Sequence, residues 1–142
     1  MGLSRFKTEQ KLDFDTALAE IKGGRKRSHW MWYIFPQLRG LGRSEMSEYY
    51  GIAGMDEARA YLADDTLRGN LVEITEALLR LRENDPAAVM GKPDDIKLKS
   101  CMTLFYLASG GKERDLFKAV LDKFYGGELC ARTQAMLAKQ SG

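Results

Sequence analysis

Five apolar residues, Leu67, Leu71, Ile74, Leu78 and Leu81, follow one another at steps of four, three, four and three. At about 3.6 residues per turn these steps draw one stripe along a long amphipathic helix, and such a stripe has to be covered by other elements. Asp65 stands where an N-cap is expected. What the rest of the chain offers to cover that face is more helix.

Phe14, Leu18 and Ile21 recur at helical spacing, and Gly23-Gly24 closes the segment. Met55, Ala58, Tyr61 and Leu62 mark a short helix opened by Asp56 and Glu57. "DPAAVMG" makes a helical turn, and Pro93 with Asp94 and Asp95 then opens a long helix in keeping with the helix dipole. Its second half, Cys101 to Ala108, is apolar nearly all round, which predicts a buried central helix near residues 96–109. Leu116, Val120, Leu121 and Phe124 repeat the pattern before Gly126-Gly127, and a final helix is expected from about Leu129 to Leu137. Only "HWMWYIF" has strand propensity, and nothing else alternates with period two to pair with it. It therefore reads as a helix from near Ser28 to near Pro36. The expectation is all-α: one compact domain over residues 1–142, with about five to seven helices.

At 142 residues and 44% hydrophobic, the chain has apolar material for one core. Lys and Arg total 22 against 20 Asp and Glu, a net charge of +2 that makes nucleic acid an unlikely general partner. No apolar run approaches the ~20 residues needed to cross a bilayer, so no membrane partner is expected. The opening "MGLSRFKTEQ" lacks a leader-peptide layout, and Phe6 stands where a myristoylation signal needs a hydroxyl. Cys101 and Cys130 lie in helix-like stretches with no CxxC and no His partner, which speaks against a disulfide framework or a zinc site. A reducing cytoplasm is the expected compartment, with no metal and no cofactor.

Function is expected to sit in "GRKRSHWMWYIFPQLRGLGRS", residues 24–44, which holds the sole histidine and both tryptophans. If Ser28 caps a helix, Arg25, Lys26 and Arg27 crowd its positive end, an unfavourable arrangement unless an anion is near. Either the side chains splay into water and pair with the protein's own carboxylates, or cations and helix amides together hold a bound anion. His29, at the same helix mouth, is the candidate general base or acid. Gln37, Arg43 and Ser44 follow in a loop where Gly40 and Gly42 would let backbone approach a ligand. Trp32 projects about 200° away from Trp30, so one indole should be partly exposed, fit for stacking or for an interface. In the second cluster, Ser100 and Thr103 either bond back to their own helix or face a polar pocket, and Lys97 is placed to close one. No paired carboxylates, metal-ligand spacing or nucleophile elbow is present.

The stretches "RKRSHWMWYIFPQLRGLGRS", "PDDIKLKSCMTLF" and "LDKFYGG" together resemble the domain-of-unknown-function family 1810, small bacterial proteins. The resemblance runs from Phe6 to Thr133 and implies a compact all-helical domain, with no activity to carry over. It singles out His29, Trp30, Trp32, Phe35, Pro36, Gln37, Arg43, Ser44, Pro93, Asp94, Asp95, Lys97, Asp122 and Tyr125. Cys101 takes a place where a small residue also fits, which weakens a cysteine-based mechanism.

The reading that follows is a small-ligand site for an anionic, phosphate-bearing and nucleotide-like molecule. Arg25, Lys26, Arg27, Trp32, Gln37, Arg43, Ser44 and Lys97 would bind it, and His29 would serve any hydrolysis or group transfer. The alternative is a protein–protein adaptor docking through the Trp32 and arginine surface.

Overall fold

Leu67, Leu71, Ile74 and Leu78 are all buried, as their spacing requires, in a computed structural model that describes residues 2–141. Among the described residues the chain forms nine helices: α1 (Ser4–Lys22), α2 (Met31–Ile34), α3 (Glu45–Tyr50), α4 (Met55–Ala63), α5 (Asp65–Arg80), α6 (Pro86–Met90), α7 (Asp94–Ala108), α8 (Gly111–Tyr125) and α9 (Ala131–Ser141). The class is all-α as expected, and an isolated parallel bridge between Leu38 and Ile52 is the one β-type pairing among those residues.

The expected five to seven helices are corrected to nine. The element that no spacing announces is α3, whose six residues are too few for periodicity to register. Ser44 Oγ accepts from the Ser47 amide at 3.1 Å to begin it, and Asp85 accepts from the Ala87 amide at 2.9 Å to begin α6, the helical turn read in "DPAAVMG". The α5 cap is likewise corrected by one position. Asp64, not Asp65, accepts from the Leu67 amide at 3.0 Å.

Helix α7 is the central element. Leu98 and every residue from Ser100 to Phe105 are buried, packed between α8 and α4 with α6 and α9 at its flanks. The α5 stripe is covered by α1 and α8. Phe105 lies between two rings, 5.0 Å from Tyr61 and 6.1 Å from Phe117, and so ties α7 to α4 and α8. Each such aromatic burial contributes about 2–3 kcal/mol.

Two buried polar groups stitch α1 to the rest. Gln10 donates to the Tyr33 carbonyl at 2.8 Å and to the Tyr61 hydroxyl at 2.9 Å, and accepts from Asn70 at 3.0 Å. Arg5, only 4% exposed, donates to the carbonyls of Tyr49 and Gly51 at 2.8 and 2.9 Å and pairs with Glu57 at 3.0 Å. Those bonds bring α1 against α4 and fix the turn after α3.

Candidate functional site

A carboxylate of the protein itself sits against the backbone of the basic stretch. Glu20, near the end of α1, takes the amide protons of Arg27 at 2.7 Å and Ser28 at 2.9 Å, the Ser28 hydroxyl, and the Trp30 indole N–H at 2.9 Å. Burial by itself raises a carboxyl pKa, but these hydrogen bonds outweigh it and hold Glu20 at about 2 against an ordinary 4.5. Lys26 is consumed in the same way. Its ammonium meets Asp94 at 3.0 Å and the Ser28 carbonyl at 2.6 Å, and lies 5.0 Å from the Trp30 ring.

This capture changes the local backbone. The expected helix from Ser28 to Pro36 shrinks to the four residues of α2, because Glu20 holds residues 27 and 28 in a loop. Ser28 therefore caps no helix; its hydroxyl donates to Glu20. Phe35, next to Pro36, takes φ −123° and ψ 70°, outside the helical region as a residue before proline must. Arg25, Arg27 and His29 are exposed and point away from the core.

Trp30 is buried at 1% exposure and Trp32 is only half-buried, so the two indoles do divide between core and surface. Trp32 opens onto a narrow cleft with about 10 Å³ of room, enough for one water molecule, whose walls are Met31, Phe35, Gln37, Ser47, Tyr50, Gly51 and Lys97. The Trp32 Nε1–H is itself buried and has no hydrogen-bond partner among the described residues. The Lys97 ammonium sits 5.6 Å from the Trp32 ring, steadied by Asp94 at 3.8 Å. Asp94 thus spans Lys26 on one side and Lys97 on the other. Burial raises the pKa of the Tyr50 phenol, with the charge of Glu9 next in effect, so this wall is a neutral hydroxyl at physiological pH.

Backbone bonds hold the loop beside the cleft. The Arg39 amide donates to the Ile52 carbonyl at 2.7 Å and the Ile52 amide to the Gln37 carbonyl at 2.9 Å, which pins the loop carrying Gln37. Gly40 and Gly42 do permit close approach, but to the protein itself. A Cβ on Gly42 would stand 2.4 Å from Ser47 Oγ, and one on Gly40 would stand 2.7 Å from the Met136 methyl. The loop is glycine-punctuated so that it can fold down onto α3 and α9.

Of the residues expected to bind, Trp32, Gln37 and Lys97 come together in the cleft. Arg43 does not line it; it borders a separate open depression with Arg39, Glu45, Glu48 and Tyr49. Ser44 is the α3 cap, Lys26 is held by Asp94, and Arg25, Arg27 and His29 lie outside the cleft lining. Sequence reasoning missed Ser47, Tyr50 and Gly51, which α3 and its following turn deliver. It also missed Glu20, whose only signal was its position just before a cation-rich loop. Ser100 and Thr103 bond back into α7, to the carbonyls of Ile96 at 3.2 Å and Lys99 at 2.8 Å, and share no pocket with His29.

An all-helical domain with a small polar-and-aromatic cleft beside a cation-rich loop is the class of protein these features define. The chain belongs to the family described as "Protein of unknown function (DUF1810)", whose model matches residues 1–137. It is similar to a conserved hypothetical protein from Mycobacterium tuberculosis of known crystal structure, with 43% identity, 96% of each chain covered and a TM-score of 0.92. No curated protein matches the chain. Among the described residues, no helix is long and apolar enough to cross a membrane and no group of three or more potential metal ligands occurs.

Proposed function

We propose that the chain binds a small anionic, phosphate-bearing and ring-containing molecule of nucleotide type in the Trp32 cleft. One observation carries the reading: a buried indole N–H without a partner, in a cleft that also presents an ammonium group. An unsatisfied buried donor costs about 1–3 kcal/mol, and an acceptor on the ligand recovers that cost on binding. Trp32 Nε1–H and Lys97 would grip the anionic group at the mouth of the narrow cleft and the Gln37 amide would orient it, while the ring would stay outside, against the half-buried Trp32 indole. No carboxylate or imidazole is among the lining residues, which favours binding over hydrolysis or group transfer and leaves His29 without a place in the cleft.

A thermal-shift series with nucleoside phosphates and sugar phosphates tests this. A ligand that raises the melting temperature of the wild type should lose its effect in W32F and in K97M and keep it in R43A. If no compound shifts the wild type, or if W32F responds as the wild type does, the reading fails. The adaptor alternative draws support from Met46 and Tyr49, exposed at 39% and 45% on α3 beside the cleft. A stable complex or dimer lost on Trp32→Ala, with no small-molecule shift, would select it instead.

A further inference from the structure

Two donors in the walls of the Trp32 cleft lack acceptors. The Trp32 Nε1–H is buried with no partner among the described residues. Ser47, 8% exposed, lines the same cleft, and its hydroxyl oxygen accepts from the Ser44 hydroxyl at 3.1 Å. Ser44 in turn accepts the Ser47 amide at 3.1 Å. That exchange spends the Ser44 proton and leaves the Ser47 hydroxyl proton with no acceptor among the described residues. The Ser47 side chain is also held from behind. A Cβ on Gly42 would clash with Ser47 Oγ and stand 2.7 Å from Ser47 Cβ, so only glycine lets the loop press this closely on it. The same Cβ would lie 3.6 Å from Gln37 Nε2, which puts the Gln37 amide beside the Ser47 hydroxyl.

Shape limits what these donors can take. The cleft has about 10 Å³ of room, the space of one water-sized atom. Each polar side chain on its walls, Trp32, Gln37, Ser47, Tyr50 and Lys97, carries a proton to donate, and no carboxylate is among them. A bare oxygen fits such a space, whereas an oxygen that carries a carbon does not. Resting on the reading of this cleft as a ligand site, we propose that it takes its ligand end-on, by the terminal phosphoryl group of a phosphomonoester. One phosphoryl oxygen enters between the Trp32 N–H and the Ser47 hydroxyl, and the other two stay at the mouth with Lys97 and Gln37. Lys97 can turn to them because its contact with Asp94 is long, at 3.8 Å, while the second Asp94 oxygen is held by Lys26 at 3.0 Å.

Ser47 is then a specificity-determining residue. A terminal phosphoryl group has three oxygens without substituents, enough for the cleft and both mouth positions at once. Its second negative charge strengthens each of those hydrogen bonds. A diester has two such oxygens and a single charge. Turning one of them into the cleft leaves only one for the mouth and brings ester carbon against Lys97 and Gln37.

Calorimetric titration of adenosine and uridine 5′-monophosphate and ribose 5-phosphate, each beside its methyl phosphodiester, tests the proposal. A monoester that binds should bind about tenfold more tightly than its methyl ester, the difference that one hydrogen bond to a charged group makes. S47A, checked for unchanged melting without ligand, should weaken the monoester about tenfold. Q37E, which sets a carboxylate at a half-exposed position on the mouth, should abolish binding without relying on a change in the core. Equal affinity for monoester and methyl ester, lost together in W32F, overturns end-on binding and leaves the ligand site standing. So does an S47A variant that melts normally and binds the monoester as the wild type does. If neither these compounds nor nucleoside di- and triphosphates bind, the ligand site and the end-on reading fall together.

Discussion

Glu20 accepts the Trp30 indole N–H at 2.9 Å, while the indole N–H of Trp32, two residues further on, is buried with no acceptor. The two tryptophans of one short segment therefore do opposite things. Trp30 is the anchor that locks the cation-rich loop to α1. Trp32 carries a polar group that the fold itself leaves unsatisfied.

Replacing each by phenylalanine should separate these roles. Trp30→Phe removes a hydrogen bond to a carboxylate and opens a void in the core, for a loss of about 2–4 kcal/mol. Trp32→Phe deletes an unpaired donor at a half-buried site and should stay within about 0.5 kcal/mol of wild type. Urea unfolding midpoints of the two variants, with equal slopes, check this directly. A loss for Trp32→Phe as large as that for Trp30→Phe would mean that its N–H is satisfied in the folded protein.

Acid should weaken the loop through Glu20. Its folded pKa of about 2 lies below the ordinary 4.5, so between these values the unfolded chain binds more protons than the folded one. The Glu20 contribution is therefore complete above pH 4.5 and fades as the pH falls towards 2. For a site partly screened by solvent its size is on the order of 1–2 kcal/mol. Glu20→Gln should be destabilised by that amount at pH 7, and its gap from wild type should narrow when both are unfolded at pH 3. A gap of constant width at the two pH values would show that the charge of Glu20 is not what the loop uses.

Gly42→Ala should disturb the cleft from behind. The added methyl would lie 2.4 Å from Ser47 Oγ and 2.7 Å from Ser47 Cβ, neither of which is the far end of a flexible chain. A cost of about 1–3 kcal/mol is expected, with partial recovery in the double variant that also carries Ser47→Gly. Melting temperatures of the four members of that cycle give the coupling. Strict additivity would show that the loop moves away from α3 at little cost.

The helices that carry the core are legible because their signal is local. The α5 stripe and the all-round apolar half of α7 are written within about four turns of one helix each, and burial follows from period alone. One indole is half-exposed as expected, but the helical step used to argue it does not apply, because Trp30 lies outside α2. The cation run reads as the positive end of a helix begun by Ser28, and that helix is not there. Local pattern treats Ser28 as a cap. It has no access to a carboxylate eight residues back that takes the same amide and hydroxyl protons at less cost.

The cleft was legible only in pieces. Trp32, Gln37 and Lys97 carried a visible polar or aromatic signal, whereas Ser47, Tyr50 and Gly51 arrive on a helix of six residues that no periodicity announces. Arg43 has the right charge for an anion site, but the fold places it around the corner with Arg39, Glu45 and Glu48.

The sequence by itself determined the helical class and the identity of the central helix, because each depends on spacing along a single element. Tertiary structure alone decided that Asp94 pairs with Lys26, that Glu20 takes the amides of residues 27 and 28, and that Arg5 braces the turn after α3. Those outcomes join groups up to 68 residues apart in the chain, as in the pair of Lys26 with Asp94. Whether a buried charge or hydroxyl is satisfied depends on every group within hydrogen-bonding reach, and the fold, not the local sequence, sets which groups those are.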